Sequence, residues 1–331
     1  SLVTIGDPRG SEYLHQALQV LDPVANPLET ANALSVEARF HHLAGRHKKA
    51  IELLLRAGEL VAPTAESDSV STFAAPMIAQ VYSYMAGAYQ HYGLYTEADR
   101  WARRALEFGR RHKILFAQAT GFEFLGEDCV LTGNYEAGLE YAEREIEIAN
   151  KLHSRERLAW VHWYGGQCRL LLGQVERAEQ EFIDGIALAE AIGENRVLRL
   201  QRSTLAVAQA MRGRHDEALE TASTNLEHSS GSLLYSHFEA LRSFAQVRFI
   251  RNELEEAERL CQQADELVAP TDSRVSQLCL GPLYIEVLLA AQKRDEAAAK
   301  LTEYQALVAD CQSPRFTAEA ARLAKVFTDQ R

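Results

Sequence analysis

Long apolar runs and paired cysteines are both missing from this 331-residue sequence. No segment reaches the run of about 18 apolar residues that a membrane span needs, and the nearest, residues 278–291, contains Pro282 and Glu286. The cysteines are odd in number and form no CxxC pair: Cys129, Cys168, Cys261, Cys279 and Cys311. This spacing favours reduced, buried thiols over a disulfide framework. We therefore expect a cytoplasmic chain that does not enter a membrane.

The motifs of common catalytic and nucleotide-binding sites are absent as well. The sequence contains no GxxxxGK[ST] phosphate loop, no GxGxxG after a strand, no HExxH helix and no serine in a nucleophile elbow. We expect neither an enzyme nor a cofactor.

Two groups of residues are candidate chemical sites. His41, His42 and His47 are the best metal candidate, but no cysteine or acid completes a tetrahedral set, and we interpret them as turn and groove histidines. His162 and Cys168 lie six residues apart, which on a helix turns their side chains about 120° away from each other. We predict no metal site and no Cys–His dyad.

The charge of the chain limits its partners. Its net charge is -11 and its pI about 5.5, so its surface repels nucleic-acid phosphates and anionic lipids. Glu143, Glu145 and Glu147 alternate, so a helix spreads them over different faces, and we interpret them as an acidic helix surface. No nucleic-acid partner is expected.

A six-residue motif recurs along the chain. It begins with a turn residue and ends with a small one, as in GRHKKA (45–50), GQVERA (173–178) and GRHDEA (213–218). The small residues that end it, here called anchor residues, are Ala50, Ala98, Gly138, Ala178, Ala218, Ala257 and Ala297. Their spacings are 48, 40, 40, 40, 39 and 40, and an insertion over residues 62–75 explains the long first interval. A second small residue often lies twelve positions earlier, as at Gly166. A fixed register of this kind indicates a repeat protein.

Each repeat is predicted to form two helices. Apolar residues at 3–4 spacing mark the first, the turn residue ends it, and acids in the next turn begin the second. We predict a first domain of residues 1–30 with a partial repeat or capping helix over 11–21, seven repeats over 31–310, and a capping helix in 311–331, at residues 317–328. Gly281 and Pro282 should kink the last first-helix or delay its start. About sixteen helices and no sheet are expected.

The turn, the two small residues and the paired helices resemble tetratricopeptide repeats (TPRs). The resemblance covers residues 31–310, although the family's usual period is shorter than the one found here. It implies an all-α, right-handed α-α superhelix of about seven repeats. Segments such as residues 81–109 resemble in sequence the repeat regions of bacterial signal-transduction ATPases and ATPase-coupled cyclases.

The resemblance also implies a binding groove, because first helices line the concave face in that family. Four positions per first helix then face inward, at 18, 15, 11 and 8 residues before the anchor residue. Among them we predict as groove residues Arg39, Gln80, Ser83, Glu123, Glu127, Trp160, Trp163, Gln167, Ser203, Arg242 and Gln246. Trp160 and Trp163 could instead pack between repeats as core. Tryptophan and arginine are over-represented among binding hot spots.

Two functions remain open. The first is a scaffold that binds a protein or peptide in this groove, as a fragment of a larger bacterial protein. The alternative is a regulatory sensor that binds an effector, or an upstream ATPase or cyclase module of the same chain, and switches it. The domain composition of the uncut protein would discriminate the two.

Overall fold

The computed structural model describes residues 13, 14, 16, 18–229 and 233–328. Within these residues there are fifteen helices with assigned bounds and no strand. The helices are α1 (Pro27–Leu43), α2 (His47–Ala65), α3 (Ala74–Tyr92), α4 (Tyr95–Arg111), α5 (Leu115–Thr132), α6 (Tyr135–Lys151), α7 (Arg155–Leu171), α8 (Val175–Ile192), α9 (Asn195–Met211), α10 (His215–Ser229), α11 (Leu234–Ile250), α12 (Leu254–Val268), α13 (Arg274–Ala290), α14 (Arg294–Ala309) and α15 (Pro314–Thr328). The predicted all-α repeat superhelix is confirmed.

The helices pair as the motif predicts. Helices α1 and α2 form repeat 1, α3 and α4 repeat 2, and so on to α13 and α14 in repeat 7. Each motif begins with a residue of positive φ: Gly45, Gly93, Gly133, Gly173, Gly213, Asn252 and Gln292. At Gly133 φ is +94°, a conformation that glycine adopts without steric cost, whereas Asn252 and Gln292 reach it with side chains. All seven anchor residues are buried at the contacts between helices.

Pro282 does not delay the last first-helix. Helix α13 begins at Arg274, 23 residues before its anchor residue, as the first helices of repeats 4, 5 and 6 do. The expected insertion is only partly a loop, because α2 extends to Ala65 and contains Pro63. The predicted helix over 11–21 lies partly outside the described residues; those described from 13 to 20 are helical.

The chain divides into two compact units. The first comprises Ser1–Leu125 with Thr271–Ser273, and the second comprises Gly126–Pro270 with Arg274–Arg331. In the first unit, Asp272 accepts hydrogen bonds from the backbone N–H groups of His47 (2.5 Å) and Lys48 (2.9 Å). A carboxylate distant in sequence thus satisfies donors at the start of α2, where negative charge is favourable.

In the second unit, close helix contacts explain the small residues. A Cβ atom at Gly166 in α7 would overlap the ring of Phe182 in α8, which is fully buried. The glycine therefore lets the second helix approach at the distance that fills the core.

One carboxylate is not where the alternating pattern placed it. Glu145 is fully buried, so the prediction of an acidic surface fails for this residue. Its carboxylate accepts hydrogen bonds from Arg157 Nη1 (3.3 Å) and the Tyr164 hydroxyl (2.9 Å), both on α7. The packing of α7 against α6 supplies the partners that a buried charge requires.

The C-terminal helix begins earlier than predicted, at Pro314 rather than residue 317. The Ser313 hydroxyl accepts from the Phe316 N–H (3.3 Å) and donates to the Leu131 carbonyl (2.7 Å). Proline suits the first helical position because it lacks the N–H that would otherwise be unsatisfied there. Helix α15 thereby contacts the end of α5 within the second unit. Among the described residues, no helix is long and apolar enough to cross a membrane.

Candidate ligand-binding site

Predicted groove residues of repeats 1 and 2 lie in the first unit. Gln80 donates to the Ser35 hydroxyl (2.8 Å), so two groove positions of neighbouring repeats bind each other. The Arg39 guanidinium lies 5.1 Å from the centre of the Tyr84 ring. Ser83 is buried, and Glu123 is half-buried.

The two groove tryptophans are largely buried in the second unit. Trp160 and Trp163 are each 8% exposed, and their rings meet edge to face with centroids 5.6 Å apart. Both belong to an apolar cluster with Tyr164, and the Arg196 guanidinium lies over Trp160 at 4.6 Å. This placement is what the alternative of core packing requires.

Ser203 is also buried. Its hydroxyl accepts a hydrogen bond from Asn225 on α10 (2.9 Å), which holds the two helices of repeat 5 together. Glu127, on α5, is half-buried.

A cavity of about 850 Å³ lies in the second unit. Nine of its lining residues are at the inward positions named from the repeat register: Gln167, Leu170, Val207, Arg242, Gln246, Phe249, Cys279, Pro282 and Glu286. The structure therefore brings together the predicted groove residues Gln167, Arg242 and Gln246. It leaves Arg39, Gln80, Ser83 and Glu123 to the first unit.

Two sides of this cavity are not predicted by the repeat register. Helix α15 contributes Arg315, Phe316, Glu319 and Arg322, the last residue of α5 contributes Thr132, and the turn after it contributes Gly133. The missed side chains of α15 recur at 3–4 spacing, which indicated a single helix face, but nothing local to that helix showed what it contacts.

The cavity carries three arginines with different partners. Arg242 pairs with the buried carboxylate of Glu239 (2.8 Å). Burial opposes the Arg242 charge, but the Glu239 carboxylate more than compensates and raises the pKa of Arg242. Arg322 bridges Glu286 and Glu319, at 2.6 Å from each. Arg315 donates to the Val130 carbonyl (2.7 Å).

Cys279 is a half-buried thiol at the cavity wall. Burial raises the pKa of this thiol above its usual value, although the guanidinium groups of Arg315 and Arg242 act in the opposite direction. Cys168 is fully buried, and burial raises its pKa to about 12. The thiols of Cys279 and Cys168 are therefore both protonated near neutral pH, the form that is a poor nucleophile. His162 pairs with the Glu181 carboxylate, one oxygen of which lies 2.5 Å from the His162 Nδ1 atom.

The histidines singled out as a metal candidate do come together in part. The Nδ1 atoms of His42 and His47 lie 3.2 Å apart, and the rings of His47 and His91 stack with centroids 5.2 Å apart. In the part of the chain that the structure describes, no three His, Cys, Asp or Glu side chains are arranged to hold a metal ion.

Comparison with known proteins shows the fold but no sequence family. No protein-family model matches the chain, and a search of curated proteins gave no match. Among solved structures, a Rap protein complexed with the competence and sporulation factor is similar, with a TM-score of 0.65 and 15% identity over 95% of this chain and 80% of that one. The apo form of the quorum sensor NprR from B. thuringiensis gives a TM-score of 0.54 and 13% identity over 92% and 82% of the chains.

A third similar structure is a signal transduction ATPase with numerous domains and a tetratricopeptide repeat sensor, from Pyrococcus horikoshii. Its TM-score is 0.50, with 18% identity over 89% of this chain. The match spans 44% of that longer protein. The fold of this chain is that of TPR-like helical repeat proteins.

Proposed function

We propose that this chain is a protein- or peptide-binding scaffold whose ligand lies in the cavity of the second unit. The cavity itself carries the proposal: at about 850 Å³ it falls within the usual size of ligand sites, and first helices of four successive repeats line it. The predicted residues Gln167, Arg242 and Gln246 contribute polar groups, and Leu170, Val207 and Phe249 contribute apolar surface.

An exposed apolar edge of the cavity supports an extended ligand. Leu171, Met211 and Ile250 are the last residues of α7, α9 and α11, and all three line the cavity. Their side chains are 39%, 49% and 36% exposed. Such exposure is unusual for large apolar side chains that occupy the same position in three successive repeats. This apolar rim offers successive contacts to apolar side chains of a peptide that crosses three repeats.

The similar structures support a peptide or protein ligand. One Rap structure is a complex with the competence and sporulation factor, and NprR is described as a quorum sensor. A shared helical repeat architecture is compatible with a ligand of the same general class here.

Filling the cavity tests the proposal. A library of random short peptides displayed on phage is selected on the intact chain, and affinities of the selected peptides are measured. Ala318→Trp adds a large side chain at an exposed position of the cavity lining on α15 and should weaken their binding on the order of tenfold or more. Ala299→Trp, at an exposed position of α14 outside the lining, is the matched control and should bind as the unchanged chain does. Failure to enrich any peptide, or unchanged affinity in Ala318→Trp, contradicts the proposal.

A second candidate is the regulatory sensor. The similarity to a repeat sensor within a longer signal-transduction ATPase favours it, since this chain spans only part of that protein. A longer form of this chain with an upstream ATPase or cyclase module, whose activity changes when these repeats are deleted, is the result that would support the sensor.

A further inference from the structure

The charges around the cavity are unevenly paired. Arg242 forms an ion pair with Glu239, while Arg322 forms ion pairs with both Glu286 and Glu319. Among the described residues, no carboxylate forms an ion pair with the third arginine of the lining, Arg315. One guanidinium at the cavity wall is therefore left without a direct carboxylate partner among the described residues.

The surroundings of Arg315 fix its position. Its Nη1 group donates to the Val130 carbonyl, and its guanidinium carbon lies 5.1 Å from the centre of the Phe316 ring. Phe316 is almost fully buried and anchors the start of α15. The guanidinium is thus held in place before a ligand arrives, which lowers the entropy lost on binding.

We propose that Arg315 binds a carboxylate of the peptide, while apolar side chains of the same peptide contact the rim of Leu171, Met211 and Ile250. This inference rests on the proposed function and names the chemistry of its ligand. A guanidinium presents several N–H donors that match a carboxylate, and Arg315 uses one nitrogen for Val130. In a chain of net charge -11, this local positive charge also selects where on the molecule an acidic group can bind.

The carboxylate has two sources: an aspartate or glutamate side chain, or the C-terminus of the peptide. The experiment uses peptides selected from the phage library and then synthesised. One set replaces each acid by its amide, and another carries a C-terminal amide. On the unchanged protein, one of the two sets should bind roughly tenfold or more weakly than its parent peptide. The set that loses affinity identifies the source.

Variants of the protein, combined with the modified peptides, complete a double-mutant cycle. Arg315→Gln should weaken the parent peptide by a similar factor and leave the neutralised peptide unaffected, because the two changes remove the same pair. Arg315→Lys, which keeps the charge, should recover part of the loss. Arg100→Gln is the matched control, since Arg100 also lies over the ring of its next neighbour, Trp101, and is outside the cavity.

The outcomes separate this inference from the proposed function. Peptides that bind equally well with and without their carboxylates overturn the inference and leave the scaffold in place. So does an Arg315→Gln variant that weakens parent and neutral peptides equally. A library that enriches nothing overturns both. If the chain forms dimers that Arg315→Gln dissociates, and no peptide binds, the occupant is a second copy and the peptide proposal is wrong.

Discussion

Individual buried polar residues contribute to this fold through partners that lie on other helices. Glu145 shows the pattern: its carboxylate has no exposure and is bonded by Arg157 and Tyr164. Such a pair adds little over apolar packing, but removing one member leaves the other charge or hydroxyl buried without compensation.

Replacing Glu145 with alanine should therefore destabilise the chain strongly. The expected loss in the free energy of unfolding is about 3–5 kcal/mol, because Arg157 and Tyr164 lose their buried acceptor. Denaturant unfolding followed by circular dichroism measures it. Glu143→Ala, at an exposed position of the same helix α6, should change stability by at most about 0.5 kcal/mol. Equal losses in the two variants would contradict the burial of Glu145.

His47 should make the stability of the chain depend on pH. It is 2% exposed, and burial lowers its pKa to about 4 from its usual 6.5. Folding therefore favours the neutral imidazole. The contribution of His47 to the free energy of unfolding is fully present above pH 6.5. It declines as the pH falls and the unfolded chain takes up the proton, and it is lost at about pH 4. The loss over this window is roughly 3 kcal/mol.

The comparison of the unchanged chain with His47→Gln isolates this effect. Free energies of unfolding measured from pH 7 to pH 4 should fall more steeply for the unchanged chain than for the variant. Burial also lowers the pKa of His41, so part of the slope should remain in the variant. Parallel curves for the two proteins would show that His47 is accessible to protonation in the folded state.

At the scale of helices, small residues set how closely the two members of a repeat approach. Adjacent glycines in α7 differ in this respect. A Cβ atom at Gly166 would overlap Phe182, whereas one at Gly165 would find its nearest neighbour, the Cβ of Ala142, at an ordinary 3.6 Å.

The same substitution should accordingly have opposite effects at the two positions. Gly166→Ala should lower the free energy of unfolding by about 1–3 kcal/mol through overpacking. Gly165→Ala should be neutral or stabilising by up to about 1 kcal/mol, because alanine favours the helix. Thermal and denaturant unfolding of the two variants measure both effects. A Gly166→Ala variant at least as stable as the unchanged chain would mean that α8 does not pack against this glycine.

At the scale of the whole molecule, stability is distributed along a repeat array. The anchor residues are buried in all seven repeats, and within the second unit helices of neighbouring repeats contact each other, α8 with α9, α10 with α11 and α12 with α13, so the core there grows by stacking rather than around one centre. The second unit adds a long-range element to this scheme, since α15 returns to the end of α5 through Ser313 and Arg315. Helix α15 lines the cavity of this unit together with the first helices of repeats 4 to 7.

The sequence by itself determined the helical pairs, their register and the turn positions. These features depend on interactions within about one repeat: Gly133 ends a helix through its own backbone conformation, and Ala178 is small because helices meet there. The inward positions at Gln167, Arg242 and Gln246 followed from the same spacing once the resemblance supplied the face, and these three residues do line one cavity.

Only the tertiary structure decided which of those positions line one cavity and which helix outside the repeats borders it. Arg315 meets Val130 across 185 residues, and Asp272 meets His47 across 225. Such contacts depend on the small rotation of each repeat relative to the one before it, added over several repeats. A sequence pattern within one repeat does not predict that total rotation. The same reason explains Glu145 and Trp163, whose burial depends on the helix opposite and not on their own helix. The arginine proposed to recognise the ligand lies outside the repeats, on a helix whose sequence predicted only a cap.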